Sequence, residues 1–289
     1  VLTPTETVYG LACDAANPLA VAKVFEAKGR PRFNPLIAHV ADIATARRLA
    51  RLDARALALA EAFWPGPLTL VAPIADTGAV CELARAGLET VAVRVPAHPL
   101  AHALLEAYGG PLVAPSANRS GRPSPTTFTD AFEETGSACA AALDGGPCVI
   151  GLESTVIAAL DGPLRLLRPG GVTREAIEAV VGPLADAEAD AKRSPGRMAL
   201  HYAPDAPVRL EVLEARPGEI LLGFGAVAGD PAFNLSLGGD LAEAAARLFG
   251  LLRAADRLRP SAIAVAPIPD HALGEAINDR LRRAAGHIG

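Results

Sequence analysis

Lysine is nearly missing from this chain: Lys23, Lys28 and Lys192 are the only three in 289 residues. Aromatic residues make up 4%, and the four cysteines stand singly as Cys13, Cys81, Cys139 and Cys148. No two cysteines have C-x-x-C spacing and none has a histidine at finger distance. They read as thiols of a reducing compartment, not as a zinc site or a disulfide framework. The phosphate loop G-x-x-x-x-G-K-[ST] is missing, which excludes the P-loop nucleotide enzymes. So is the G-x-S-x-G elbow, which leaves Ser116 without a hydrolase setting. No apolar run is long enough to cross a bilayer and no signal peptide is legible, so no membrane role and a cytoplasmic location are expected. The formal net charge is −5 and the pI is near 5.7. That balance argues against sequence-independent duplex binding, which needs several phosphate contacts, and leaves room only for a weak local RNA contact.

What is present is a well-filled α/β chain. Hydrophobic residues reach 51% and charged residues 20%, enough for a sizeable core. The chain opens at Val1 inside the strand-like VLTPTETVYG; either residues upstream are missing or Val1 translates a non-standard start codon. Asn17-Pro18 caps the helical LAVAKVFEAK, which Gly29 ends. Leu36–Val40 reads as a buried strand. Asp42 and Asp53 open two helices, the second ending at Trp64-Pro65-Gly66-Pro67. LTLVAPI and TVAVRV are strands, His98–Tyr108 is a helix stopped by Gly109-Gly110, and PLVAP is a strand. A helix near Thr127–Glu134, a strand around Cys148–Ile150, the extended runs STVIAAL and LRLLRPG, and a helix from Thr173 complete a mixed α/β unit over 1–182. Residues 183–207 read as a linker. A small α/β unit over 208–289 follows, with strands VRLEVL, ILLGF and AIAVAPI and helices from Asp240 and about His271.

One local feature stands against the acidic background. KGRPRFNP places Lys28, Arg30 and Arg32 between an apolar helix and an apolar strand. A lone run of this kind is more often a solvated loop, but in a cation-poor chain it suits a polyphosphate grip. Other polar residues cluster in Gly/Pro loops and at strand ends, where α/β proteins bind ligands. They are Pro4-Thr5-Glu6-Thr7, His39, Thr90 and Arg94 on one strand face, Ser116-Ala-Asn118 with Ser120 and Ser124, Glu153-Ser154-Thr155, and Arg168-Pro-Gly. Singly, each has a structural explanation as a turn former or a snorkelling arginine. Together they offer cations and small donors with no obvious general base, which suits nucleotidyl transfer by positioning and charge neutralisation. His98 and His102 stand at i, i+4 without a third ligand and read as an ordinary helix face. Gly223–Gly229 has G-x-G-x-x-x-G spacing with no helix after it and reads as a loop.

PTETVYGLACDA, KVFEAKGRPRFNPLIAHV, WPGPLTLV, TVAVRVP, APSANRSGRPSPT, GLESTVI and LLRPGGVT together resemble the YrdC-like domain of threonylcarbamoyl-AMP synthases. SPGRMALHYAP and the small unit after it resemble the long, two-domain form of that family. The resemblance implies a twisted mixed sheet with flanking helices plus a small Rossmann-like α/β domain. It implies that L-threonine, bicarbonate and ATP give threonylcarbamoyl-AMP and pyrophosphate, with Mg²⁺ accompanying ATP and the product passing to a tRNA threonylcarbamoyltransferase. Thr7, His39, Arg94, Ala114 and Ser154 would surround threonine. Lys28, Arg30, Asn34, Thr90, Ser116, Asn118, Ser124, Arg168 and Tyr202 would hold ATP, with Lys28 and Arg30 neutralising the triphosphate during catalysis. The linker, with Ser194, Gly196, Arg197 and Tyr202, would act as a lid. The family's helix and strand before PTET are missing here, and Cys13 replaces a smaller residue. Two other readings stay open: an RNA-binding or ribosome-associated YrdC-like module, and a carbamoyl-transfer domain of hydrogenase-maturation type.

Overall fold

The computed structural model describes residues 1–186, 201–227 and 229–286. The helices begin where the capping chemistry predicts. Asn17 Oδ1 accepts the backbone N–H groups of Leu19 and Ala20 at the start of α1 (Pro18–Lys28), and Gly29 ends it at φ +58°, a left-handed conformation that glycine adopts without strain. Asp42 and Asp53 cap α2 (Ile43–Leu49) and α3 (Ala54–Phe63). His98 caps α4 (Pro99–Tyr108), Thr127 caps α5 (Phe128–Thr135), and Thr173 caps α6 (Arg174–Val181). Asp240 caps α7 (Leu241–Arg257), and α8 (Leu273–Ala284) closes the described chain.

The strands form two main sheets. Next to a small hairpin of β1 (Leu2–Thr3) and β2 (Gly10–Leu11), the first sheet contains β3 (Cys13–Asp14), β4 (Ile37–His39), β5 (Leu68–Pro73) and β6 (Thr90–Arg94). It is completed by β7 (Leu112–Val113), β8 (Thr155–Ala158), β9 (Arg165–Arg168) and β10 (Ala185–Asp186). Their order is β10-β9-β8-β5-β6-β4-β7-β3. The sheet mixes parallel pairs, such as β4 with β6, and antiparallel ones, such as β5 with β6. The second sheet is all parallel, with β11 (Val208–Arg209) and β12 (Ile220–Leu222) on either side of β13 (Ile263–Val265). This is the expected mixed sheet with a small Rossmann-like unit. Among the described residues no helix is long and apolar enough to cross a membrane.

One expected strand is not there. Cys148–Ile150 is a loop whose N–H groups go to scattered acceptors, Cys148 to Thr126 O at 2.8 Å and Ile150 to Glu6 O at 2.9 Å. Val149 between them is 76% exposed; the short apolar run has no strand to pair with. Ser194, Gly196 and Arg197 lie outside the described residues.

The second core reaches into the first unit. Val8, Leu152 and Tyr202 pack with Leu248, Phe249 and Leu252 of α7. Gly151 makes that approach possible: a Cβ there would lie 2.5 Å from Ala246 Cα. Around this contact runs a ring of ion pairs: Arg122 with Asp205 (2.9 Å) and Asp256 (3.3 Å), Arg253 with Glu134 (3.0 Å), and Arg174 with Glu275 (2.8 Å). A cleft of about 640 Å³ lies among the first two sets. Its arginines are largely matched by carboxylates already.

Candidate active site

The central strands place the first part of the site. Arg94 ends β6 beside His39 of β4, the two in direct register. The Arg94 guanidinium spends its donors on three sides: Nε to Gly66 O (3.1 Å), Nη1 to Thr7 Oγ1 (3.0 Å) and Nη2 to Glu6 Oε1 (2.6 Å). Thr7 is aimed by a local turn in which Thr5 Oγ1 accepts the N–H groups of Thr7 (3.2 Å) and Val8 (3.1 Å). Burial pushes the Glu6 carboxyl up, but the charge and hydrogen bonds of Arg94 outweigh it and hold Glu6 below the usual carboxylate range. His39 is pushed down to about 3, first by burial and then by Arg94, against the pull of Glu6. Its Nδ1 lies 3.1 Å from Ile37 O. A carbonyl only accepts, so the neutral ring carries its proton on Nδ1 and Nε2 is left as an acceptor.

The second part is cationic. Lys28, the last residue of α1, is buried, and its ammonium donates to the carbonyls of Ser116 and Asn118. It therefore organises the SANRSG loop and is not a free loop cation. Burial, then the charge of Arg30, lowers its pKa well below the ordinary lysine value, against a pull from Glu134. Arg30 follows the Gly29 turn and donates to Pro35 O (3.2 Å). Burial pushes its guanidinium down to about 10; Tyr202 opposes and Arg168 adds to that shift. Arg168 donates to Ser154 O (2.8 Å) and Ser154 Oγ (3.2 Å), while Thr69 shares a 2.7 Å hydrogen bond with Ser154 Oγ. Gly170 lets the RPGG turn lie on the segment that leads into β8, since a Cβ there would meet Glu153 O at 2.3 Å. Arg32, the third cation of the cluster, is exposed.

The third wall comes from beyond residue 200. His201 and Tyr202 meet edge to face with centroids 4.0 Å apart. His201 is pushed down to about 3 by burial, with Glu153 opposing and Arg30, Lys28 and Arg168 contributing. Its Nδ1 is buried with no hydrogen-bond partner. Tyr202 has φ +61°, a strained conformation for an aromatic residue and of the kind found at functional sites. Thr7, Arg30, His39, Arg94, Ala114, Ser116, Glu153, Ser154, Arg168, His201 and Tyr202 all line one cavity of about 50 Å³. That volume is well below what drug-sized ligands occupy.

Two family models divide the chain. The Sua5/YciO/YrdC model, described as telomere recombination, matches residues 1–170. The model of the threonylcarbamoyl-AMP synthase C-terminal domain matches residues 172–286. The chain belongs to the threonylcarbamoyl-AMP synthase family. The threonylcarbamoyl-AMP synthase of Bacillus subtilis is 42% identical to it over 310 residues, covering 99% of this chain and 89% of the relative. That of Pyrococcus abyssi is 41% identical over 312 residues, covering 99% and 90%. The crystal structure of P. abyssi Sua5 complexed with L-threonine superposes with a TM-score of 0.91 at 38% identity, covering 99% of this chain and 90% of that one.

Within this synthase-family fold the residues singled out from sequence fall into three groups. Thr7, Arg30, His39, Arg94, Ala114, Ser116, Ser154, Arg168 and Tyr202 line the cavity. Lys28, Asn34, Asn118 and Ser124 do not line it but support its wall: Lys28 through Ser116 O, Ser124 through a hydrogen bond to Glu153, Asn34 beside Pro35, and Asn118 through its carbonyl. Thr90 shares the Arg94 face of β6 but stands at the far end of that strand and does not line the cavity. Sequence reasoning quoted Glu6 and Glu153 without giving them roles, and missed His201 and Arg280 altogether. His201 had a signal, its place beside Tyr202 in HYAP. Arg280 had none, being an ordinary charge in a polar helix.

Proposed function

We propose that the cavity joins L-threonine, bicarbonate and ATP into threonylcarbamoyl-AMP, releasing pyrophosphate. The observation that carries this reading is one cavity lined by a carboxylate grip, Arg94 with Thr7, and by two further cations suited to phosphate, Arg30 and Arg168, with no nucleophile–base pair among them. Arg94 keeps unused N–H positions for a two-point contact with the α-carboxylate of threonine. Neutral His39 offers Nε2 to the threonine hydroxyl or amine, and Ala114 gives its methyl group an apolar neighbour. The neutral amine takes up bicarbonate with loss of water to give the carbamate, a carbamate oxygen attacks the α-phosphorus, and the bond from that phosphorus to the β-phosphate oxygen breaks as pyrophosphate leaves. Arg30 and Arg168 stabilise charge as it moves to the leaving group, and Lys28 holds the Ser116–Asn118 loop that receives the nucleotide. Among the described residues no cluster of three acidic, histidine or cysteine side chains exists to hold a metal, so Mg²⁺ enters this proposal as part of MgATP.

We further propose a catalytic unit over 1–182, a connecting segment over 183–207 and a closing unit over 208–289, acting in the cytoplasm and passing product to a tRNA threonylcarbamoyltransferase. Mass detection of threonylcarbamoyl-AMP from protein, ATP, threonine and bicarbonate tests the reaction. Product should vanish when either threonine or bicarbonate is withheld; ATP consumption without the adduct would refute it.

A further inference from the structure

Arg280 belongs to α8 of the second unit, yet its side chain is fully buried against the first. Its Nε donates to Glu153 Oε2 at 2.8 Å and its Nη2 to Pro169 O at 2.9 Å. Its Nη1 meets Asp279 Oδ2 at 2.6 Å, and its guanidinium carbon stands 5.2 Å from the centre of the Tyr202 ring. Glu153 is the residue on which this arrangement turns. Its other oxygen accepts from Ser124 Oγ, and both Arg280 and Arg168 stabilise its charge. One buried carboxylate is therefore acted on by two arginines, one from each unit: Arg280 through a hydrogen bond and Arg168 through its charge. The hydrogen bonds divide them: Glu153 is taken by Arg280 and Ser124, while Arg168 donates to Ser154 in the cavity wall.

We propose that Arg280 is a positioning residue for the nucleotide: by occupying Glu153 it keeps Arg168 on Ser154, facing the phosphates, and it backs the Tyr202 ring that closes the same end. If Arg280 is removed, Glu153 is a buried charge with Arg168 as its remaining cationic neighbour, and uncompensated buried carboxylates are costly enough to move such a neighbour. Arg168 then turns from the cavity toward Glu153. The carboxylate grip at the threonine end keeps its own partners, Arg94 on Glu6, Thr7 and Gly66 and His39 on Ile37 O, and Ser154 Oγ keeps its hydrogen bond with Thr69 when Arg168 leaves. On this inference the second unit contributes directly to the nucleotide end of the site and is more than an appended fold.

This rests on the ATP reading of the cavity, and the controls separate the two. Full-length parent protein that makes no threonylcarbamoyl-AMP refutes the reaction; the variants are judged only against an active parent. ATP and threonine affinities are measured separately by titration calorimetry on parent, Arg280→Met and Arg280→Lys, each with a thermal melt. Arg280→Met should weaken ATP on the order of tenfold to a hundredfold, the worth of one charge-assisted contact, and leave threonine affinity unchanged. Arg280→Lys, which keeps the charge and most of the stem but not the planar fork, should fold even if the methionine variant does not and fall between the two. In a double-variant cycle, Glu153→Gln should absorb much of the Arg280→Met effect on ATP, because no carboxylate then competes for Arg168. Unchanged ATP affinity in a folded Arg280 variant, equal losses for ATP and threonine, or strict additivity with Glu153→Gln would each overturn the role; a lower melting temperature with both affinities intact would reduce Arg280 to an anchor.

Discussion

Arg94→Lys keeps a positive charge in a position only 5% exposed and removes its geometry. The guanidinium holds Gly66 O, Thr7 Oγ1 and Glu6 Oε1 at 3.1, 3.0 and 2.6 Å, three directions that one planar fork serves and one ammonium does not. A lysine that stays on Glu6 gives up the Gly66 and Thr7 bonds, about 0.5–1.5 kcal/mol each, so the variant loses about 1–3 kcal/mol of folding stability. Threonine suffers separately. A two-point contact with its carboxylate becomes one-point, a loss on the order of 1.5–3 kcal/mol, or roughly tenfold to a hundredfold in affinity. ATP, proposed to sit on Arg30 and Arg168, should be little affected. The assay is the threonine KM at saturating ATP, the ATP KM at saturating threonine, and a urea melt of the same preparation. A threonine KM near the parent's, in a variant that has lost the expected stability, would show that Arg94 braces Glu6 and Thr7 but does not hold the substrate.

Arg30→Ala should weaken ATP by on the order of 1.5–3 kcal/mol, and Lys28→Ala should weaken it indirectly, through the Ser116–Asn118 loop. Both should lower the melting temperature, since loss of Lys28 leaves the carbonyls of Ser116 and Asn118 without their donor and loss of Arg30 leaves that of Pro35; unchanged ATP kinetics in both would remove the phosphate assignment. Acid should destabilise the protein early. His39 and His201 are held at about 3 when folded against about 6.5 unfolded. The unfolded chain therefore binds more protons below about pH 6.5, and each histidine takes away about 1.4 kcal/mol per pH unit until its folded value is reached. Denaturant melts at pH 7 and pH 5 read this, His201→Gln should flatten the slope, and equal stabilities at the two values would contradict neutral buried rings. Tyr202→Ala empties a ring packed 5.5 Å from Phe249 and should cost about 3–5 kcal/mol; Tyr202→Phe should unfold within about 1 kcal/mol of the parent, and a large loss there would mean that the hydroxyl, not the ring, is what the core needs.

Local chemistry was the legible part of this fold. Asn17, Asp42, Asp53, Thr127, Thr173 and Asp240 are short polar side chains before apolar runs, and each caps the helix it announces. The long buried strands carry enough β-branched residues to be seen. Cys148–Ile150 misled because three apolar residues in a row fit a strand and a packed loop equally well. Two-residue strands such as Gly10–Leu11 and Ala185–Asp186 carry no period at all. In the site, Arg94, Arg30 and Arg168 were visible through motif and residue type. The partners that aim them were not: Glu6 is 88 positions from Arg94, and Arg280 is 127 from Glu153. Nothing in the local sequence signals a pairing that only the tertiary fold creates.

Asp186 and His201 bound the fourteen residues 187–200. The first ends an edge strand of the large sheet, and the second belongs to the cavity wall. A wall joined through so short a stretch of chain is supplied at an effective concentration of about millimolar, whatever the amount of protein in the cell. Had His201, Tyr202 and Arg280 come from a separate subunit, the site would have assembled only above that subunit's dissociation constant and in proportion to its expression. Here one chain carries His201, Tyr202 and Arg280 together with the rest of the cavity lining, in a fixed one-to-one ratio.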